Sequence, residues 1–157
     1  HLDNITSQHQ PVALLFIDVD NFKQINDTHG HQIGDTVLVH VADTIHTSVP
    51  DHAMAARFGG DEFVITLHGS DAKAATDVAY TLWSHHQRPL LIDDSPLEVQ
   101  ISIGVGTGHG PIDPGELALR ADTALYQAKE AGRNTVRTHR RQDNSAIQRC
   151  LTPTRRA

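Results

Sequence analysis

The chain has 157 residues and a net charge of −6, unevenly spread: residues 1–136 hold seven Lys/Arg against eighteen Asp/Glu, residues 137–157 six Arg and one Asp. That length fits one domain with a real core, and an acidic body argues against nucleic acid as its partner. A single cysteine, Cys150, excludes a disulfide framework and a cysteine-based zinc site, and no apolar run approaches the length that spans a bilayer.

Residues 1–10 are polar and read as the end of a helix. Val12-Ala13-Leu14-Leu15-Phe16-Ile17 is a near-continuous apolar run, the pattern of a strand buried on both faces, and it ends in Asp18-Val19-Asp20. A buried strand that delivers carboxylates at its end can place metal ligands; a solvated strand end is the alternative. Residues 22–28 predict a short helix broken at Gly30. A longer helix follows from about Ile33, with Ile33, Val37, Val41, Ile45 and Val49 forming one core stripe, and Pro50 bounds it.

Next comes Arg57-Phe58-Gly59-Gly60-Asp61-Glu62-Phe63, with apolar runs at 53–56 and 64–67. The glycine pair predicts a tight two-residue hairpin, because such a turn needs φ > 0 at its centre. A tip without side chains lets a bulky anion approach the backbone, and the adjacent acids suggest a divalent cation bridging protein and phosphate. Ser70 is the expected cap of the next helix, with Ala74, Ala75, Val78, Ala79, Leu82 and Trp83 inward. Strands are expected at 89–92 and 97–107 around an Asp93-Asp94-Ser95-Pro96 turn, the second half-buried because Val99, Ile101, Ile103 and Val105 alternate with smaller or polar residues. Asp113 caps the last helix, with Pro114 at its first position and Glu116 completing a capping box. Leu117, Ala121, Leu125 and Ala128 face inward, Gly132 ends the helix, and 135–137 form a last strand. The twelve histidines are scattered apart from His85-His86; none has a zinc spacing, and they read as solvated surface groups. Residues 139–157 are Arg-rich and aperiodic, an expected tail or linker. The order β-α-α-β-β-α-β-β-α-β predicts an α+β domain, one sheet with helices packed on it.

Gly59 to Phe63 spell the signature of the GGDEF family, the diguanylate cyclases. Phe16-Ile17-Asp18-Val19-Asp20-Asn21-Phe22-Lys23-Gln24-Ile25-Asn26-Asp27 resembles that family's first metal-and-phosphate motif, and Gly30-His31-Gln32-Ile33-Gly34-Asp35 its guanine-contacting segment. Ile101-Ser102-Ile103-Gly104-Val105, residues 121–129 and Gly132-Arg133-Asn134 are similar to its later blocks. The resemblance runs in family order from about Val12 to Val136.

The resemblance implies a nucleotidyl-cyclase and polymerase-palm-like fold with a central, mainly antiparallel sheet. It assigns residues 1–138 to a GGDEF domain lacking the usual Asp-x-Leu-Thr-Gly-Leu-x-Asn-Arg segment ahead of the first strand. Since the chain opens at His1, it is expected to be a fragment of something longer, with a neighbouring sensor or phosphodiesterase domain. The implied metal is Mg²⁺, with Mn²⁺ as an alternative, held by Asp18, the carbonyl of Val19, and Asp61, with Glu62 close by. The amides of Asn21, Phe22 and Lys23 would hold phosphates, Lys23 would add charge, and Lys129 and Arg133 would reach the same phosphates. Asn26 and Asp35 would recognise guanine, with His31 beside them. Gly59 and Gly60 would let substrate approach, and Asp61 would take the proton. The implied reaction joins two GTP into cyclic di-GMP, a bacterial second messenger, across a head-to-head homodimer, in the cytoplasm and without membrane contact by this domain. The alternative is a catalytically weak GTP-binding module that regulates an adjacent domain. Many relatives also carry an inhibitory Arg-x-x-Asp motif upstream of the Gly-Gly pair; here those positions read Pro50-Asp51-His52-Ala53, so product inhibition at that surface is not expected.

Overall fold

The computed structural model describes residues 2–139. In chain order the elements are α1 (Leu2–Thr6), β1 (Pro11–Val19), α2 (Phe22–His29), α3 (His31–Ser48), β2 (Met54–Arg57), β3 (Glu62–His68), α4 (Ala72–His85), β4 (Leu90–Ile92), β5 (Ser95–Leu97), β6 (Ile101–His109), α5 (Pro114–Glu130) and β7 (Val136–Thr138). Five strands form one sheet in the order β2-β3-β1-β6-β7, and β4-β5 stand apart as a hairpin. All pairings in the large sheet are antiparallel except β6 with β7. This is the expected α+β palm-like architecture.

Strand β1 lies at the centre and alternates its side chains between two cores. Ala13, Leu15, Ile17 and Val19 join Val37, Val41 and Ile45 of α3 and Ala75, Ala79 and Leu82 of α4. On the other face Val12 and Leu14 meet Leu117 and Ala121 of α5, with Phe16 packed alongside. The same parity sends Asp18 to the α5 face. Helix α5 lies flush there because Gly104 and Gly106 of β6 face it: a Cβ on either would run into the backbone of Ala121 or Leu125. Thus β6, expected to be half-buried, is buried on both faces over residues 101–106. Its glycines are covered by helix backbone rather than by water.

Other expectations change in detail. The strand expected over 97–107 is two strands, because Leu97 closes the β4-β5 hairpin and Ile101 opens β6. That hairpin carries the two-residue left-handed turn, at Asp93 (φ 49°) and Asp94 (φ 62°). The Gly59-Gly60 connection instead has four residues, 58–61, between β2 and β3. Positive φ at glycine is confined, among the described residues, to Gly30, Gly69 and Gly132. Strand β2 is exposed along its whole length. Asp71, not Ser70, caps α4, accepting from the N–H of Ala74 at 2.8 Å. Ala74 is exposed, whereas Val78 and Trp83 are half-buried. Asp113 caps α5 as expected, at 2.8 Å from the Glu116 N–H, but the Glu116 carboxylate turns to Arg120 instead of closing a box. His86 is no surface group: it is 3% exposed. The expected tail, 139–157, lies outside the described residues except for His139, whose N–H donates to Val105 at 2.8 Å. No helix among the described residues is long and apolar enough to cross a membrane.

Candidate functional site

Three elements converge where β1 ends. Asp18 pairs in register with Glu62 of β3 on one side and Ser102 of β6 on the other. The N–H of Val19 donates to the carbonyl of Asp61 at 3.1 Å, which ties the Gly-Gly turn to the strand end. Asp18 is 9% exposed, and its carboxylate takes the Lys129 ammonium of α5 at 2.6 Å. Burial pushes the Asp18 pKa above its ordinary value; the Lys129 ammonium opposes this, while Asp61 and Asp20 push the same way as burial. Among the described residues, the corner therefore gathers more negative charge than its one contacting cation, Lys129, answers.

Among the described residues, no three His, Cys, Asp or Glu side chains converge closely enough to hold a metal by themselves. What the corner offers is carboxylates at Asp18 and Asp61 and backbone carbonyl oxygen at the strand end. That donor set leaves positions free for water and phosphate oxygens, which suits Mg²⁺ rather than a metal needing a complete protein cage. Glu62 folds over the turn. A Cβ on Gly59 would sit 2.8 Å from Glu62 Oε2, so a side chain there would push that carboxylate aside.

The turn is held from within by Arg57, which the sequence reading left without a role. Its guanidinium donates to the carbonyls of Gly59 and Gly60 at 3.1 Å from Nε, and to Gly60 again at 2.5 Å from Nη2. Asp20 was likewise visible only as the second acid of its motif. It is buried and bonded to Ser102 and Asn134.

On the other side of the site, Asn21 at φ 56° turns the chain into α2, and no side chain caps that helix. The first-turn N–H groups of a helix have no partner inside it, so those of Phe22 and Lys23 are available to an anion. Lys23 itself is not drawn into the corner. Its side chain is 92% exposed and lies 3.9 Å from Asp27. Arg133 is exposed in the turn after α5, at φ 64°.

Asn26 sits between α2 and α3. Its Oδ1 is buried without a hydrogen-bond partner, and it lies directly over Gly34, where a Cβ would overlap it. Asp35 follows on α3 and, like His31, is exposed. Asp35 also borders a largely apolar cleft of about 560 Å³ between α3 and β2, lined by Leu38, Val39, Ala55 and Phe63 and edged by Arg57. Asp18, Asp61 and Lys129 thus gather at a carboxylate corner, Asn26 packs against Gly34 where α2 meets α3, and Lys23, His31 and Asp35 stand exposed.

The chain has known relatives. Residues 1–135 match the family described as diguanylate cyclase, GGDEF domain. Diguanylate cyclase A of Treponema denticola is 39% identical over 141 residues, covering 87% of this chain and 38% of that protein's length. The active GGEEF domain of a diguanylate cyclase from Vibrio cholerae superposes with a TM-score of 0.77 at 33% identity, covering 85% of each chain. The GGDEF domain of DgcB from Caulobacter crescentus, solved in complex with c-di-GMP, superposes with a TM-score of 0.76 at 30% identity, covering 82% of this chain and 78% of that one. With its signature turn, its palm-like sheet and a family match across most of its length, the chain belongs to the GGDEF family of diguanylate cyclase domains.

Proposed function

We propose that this domain condenses two GTP molecules into cyclic di-GMP, releasing two pyrophosphates, with one nucleotide held by each of two copies. The observation that carries this reading is the corner at the end of β1, where a buried Asp18 meets Lys129 beside the Asp61-Glu62 turn. Mg²⁺, or Mn²⁺ in its place, would be held by Asp18, the Val19 carbonyl and Asp61 with Glu62 close by, and when bound it supplies positive charge at the attacking and leaving oxygens.

The chain's own groups do the rest. The N–H groups of Asn21, Phe22 and Lys23 take the terminal phosphates at the start of α2, and the Lys23 ammonium swings in from solvent to add charge. Lys129 and Arg133 meet the same phosphates from the end of α5. The buried Asn26 Oδ1 accepts a base N–H, and Asp35 accepts from guanine N1–H and its exocyclic amine; adenine, lacking the N1–H, would leave Asp35 unpaired. His31 borders the base, and Gly59 and Gly60 let the nucleotide approach the backbone. Asp61 accepts the 3′-hydroxyl proton as the 3′-oxygen bonds to the α-phosphorus of the partner nucleotide and pyrophosphate departs. A second such exchange closes the ring, so a two-fold pair of domains is required. A neighbouring sensor or phosphodiesterase domain and a cytoplasmic setting belong to the same proposal.

The test is to incubate the domain with GTP and Mg²⁺ over a range of protein concentrations and quantify cyclic di-GMP by mass spectrometry. Product formation should rise more steeply than linearly with protein, because ring closure needs two domains. Strict linearity down to dilute protein would refute the two-domain mechanism. GTP binding without turnover at any concentration would leave a regulatory GTP-binding module.

A further inference from the structure

Asp20 has no part in the reaction as described, yet it is among the best-buried acids of the chain, at 3% exposure. Among the described residues no Lys or Arg pairs with it. Its carboxylate instead takes two neutral donors. The Ser102 hydroxyl lies 2.8 and 3.0 Å from its two oxygens, and the backbone N–H of Asn134 lies 2.9 Å from Oδ2. Asn134 is the residue after Arg133, and both sit at positive φ, 64° and 44°. The turn they form begins where α5 ends, one turn beyond Lys129.

The same turn is gripped from behind. Trp83 of α4 donates its indole N–H to the Asn134 carbonyl at 2.8 Å and to its Oδ1 at 3.0 Å. Gln87 adds a bond to that Oδ1 at 2.9 Å. One residue, Asn134, is thus fixed from the sheet by Asp20 and from α4 by Trp83.

We propose that Asp20 is a positioning residue for the triphosphate: by pegging Asn134 to the end of β1, it holds Arg133 and the last turn of α5 at a set distance from Asp18. Trp83, on the far side of the peg, then reports whether the triphosphate site is filled. The inference rests on the reading that Lys129 and Arg133 bind nucleotide phosphates. A carboxylate suits the peg because it is an acceptor only and can serve an N–H and an O–H together. Asparagine can do nearly the same, since its amide oxygen takes the Asn134 N–H and its NH₂ can donate to a reversed Ser102 hydroxyl. Alanine can do neither.

The experiment compares Asp20→Ala, Asp20→Asn and Ser102→Ala with the parent. The probes are 3′-deoxy-GTP, which binds but cannot attack, and 3′-deoxyguanosine, which carries no phosphate. Affinities are measured by calorimetry, and Trp83, the only tryptophan, is followed through its indole N–H resonance. In Asp20→Ala the affinity for 3′-deoxy-GTP should fall by about tenfold or more, with 3′-deoxyguanosine unchanged. Asp20→Asn should restore it to within about threefold of the parent, on the same grounds. The parent indole resonance should shift with 3′-deoxy-GTP and stay still with 3′-deoxyguanosine. Should Asp20→Ala fail to fold, Ser102→Ala carries the test with a smaller loss in the same direction. Equal losses for both probes, or an Asp20→Asn variant as poor as Asp20→Ala, would overturn the positioning role. A parent that shows no preference for the triphosphate would instead bring down the phosphate reading itself.

Discussion

At the end of β1 the acids are already engaged. Asp18 holds Lys129 at 2.6 Å, and Asp20 holds Ser102 and the Asn134 N–H. Between α2 and α3 the opposite holds: Asn26 Oδ1 is buried with no partner, and Asp35 and His31 stand in solvent. Internal partners keep the carboxylate corner rigid in the absence of nucleotide. The contact between α2 and α3 holds an unmet acceptor, and a buried polar atom left unpaired costs about 1–3 kcal/mol. On the proposed function, the nucleotide base would supply the donor missing at Asn26. On that same proposal, chemistry would fall to the stiff side and base discrimination to the unsatisfied one.

The largest effect should come from the stiff side. Asp61→Asn removes the proposed base and a charged ligand, and cyclic di-GMP formation should fall by about 10²–10⁴-fold. Its melting temperature should barely move, because the backbone carbonyl of Asp61, not its side chain, is bonded to Val19. Parent-rate turnover by this variant in Mg²⁺ would take Asp61 out of the mechanism and undo the division drawn above.

Next come the helices. Gly34→Ala places a methyl where Asn26 Oδ1 now lies. The displaced amide should cost GTP roughly 5- to 150-fold in affinity, the equivalent of about 1–3 kcal/mol, and narrow its lead over ATP. Asn26→Ala should bring a similar loss of GTP without a loss of stability, since it deletes an unpaired buried oxygen and adds a strong helix former. Differential scanning calorimetry checks this. A melting point several degrees lower in Asn26→Ala would mean that the oxygen serves the fold, and the contrast between the two regions would fail.

Most of the fold was legible because periodicity and caps leave few alternatives. The α3 stripe, the Asp113-Pro114 start of α5 and the apolar run of β1 all stand where the sequence puts them. Two failures share a cause. The Gly-Gly pair looked like a left-handed turn, and β6 looked half-solvated, because glycine signals either a special φ or a close approach. At Gly104 and Gly106 the reason is close approach to helix backbone, which only tertiary structure reveals, whereas Gly59 and Gly60 have no positive φ. Asp18, Asp61 and Asn26 are singled out by the resemblance of their segments to a family's motifs. Arg57, Ser102 and Asn134 are not, because their roles are hydrogen bonds that close only after folding.

A smaller effect concerns the packing beneath the base reader. His86, at the end of α4, lies 2.8 Å from the Leu82 carbonyl through Nδ1, while its Nε2 is buried without a partner. Across from it is His40 of α3, the helix that carries Asp35, with ring centroids 5.4 Å apart. Burial lowers the pKa of both histidines; His40 and His85 push His86 further down, whereas Asp43 partly restores His40. A depressed folded pKa means that the unfolded chain takes up protons first. Stability should therefore be full above the ordinary histidine value of about 6.5 and fall as pH drops through the lowered folded values. Asp18 acts in the reverse sense, since its raised pKa makes protonation favour the folded state. The histidine share is read by difference, comparing urea unfolding of the parent and of His86→Gln at pH 7.5 and 5.5. Glutamine keeps a donor for Leu82, so its profile should be flatter; an equally steep one would assign the pH dependence elsewhere.

The smallest effect expected is none. At the foot of β2, Pro50-Asp51-His52-Ala53 replaces the Arg-x-x-Asp motif through which many relatives bind their product. The Ala53 N–H donates to the Pro50 carbonyl at 2.8 Å, closing a tight turn. His52 leans on His68 with ring centroids 5.3 Å apart, and Asp51 is exposed. Proline offers no donor, and no guanidinium fork is present to take a guanine edge and a phosphate together. Asp51 would repel a dianion, and a histidine carries appreciable charge only near or below its pKa. Cyclic di-GMP should therefore inhibit only in competition with GTP, at the site between α2, α3 and the Gly-Gly turn. Calorimetry with the active site saturated by 3′-deoxy-GTP decides the matter. Residual tight product binding, weakened by Pro50→Gly or Asp51→Ala, would place a second nucleotide site on β2. The proposed nucleotide recognition would then have to extend beyond the corner and the α2–α3 contact.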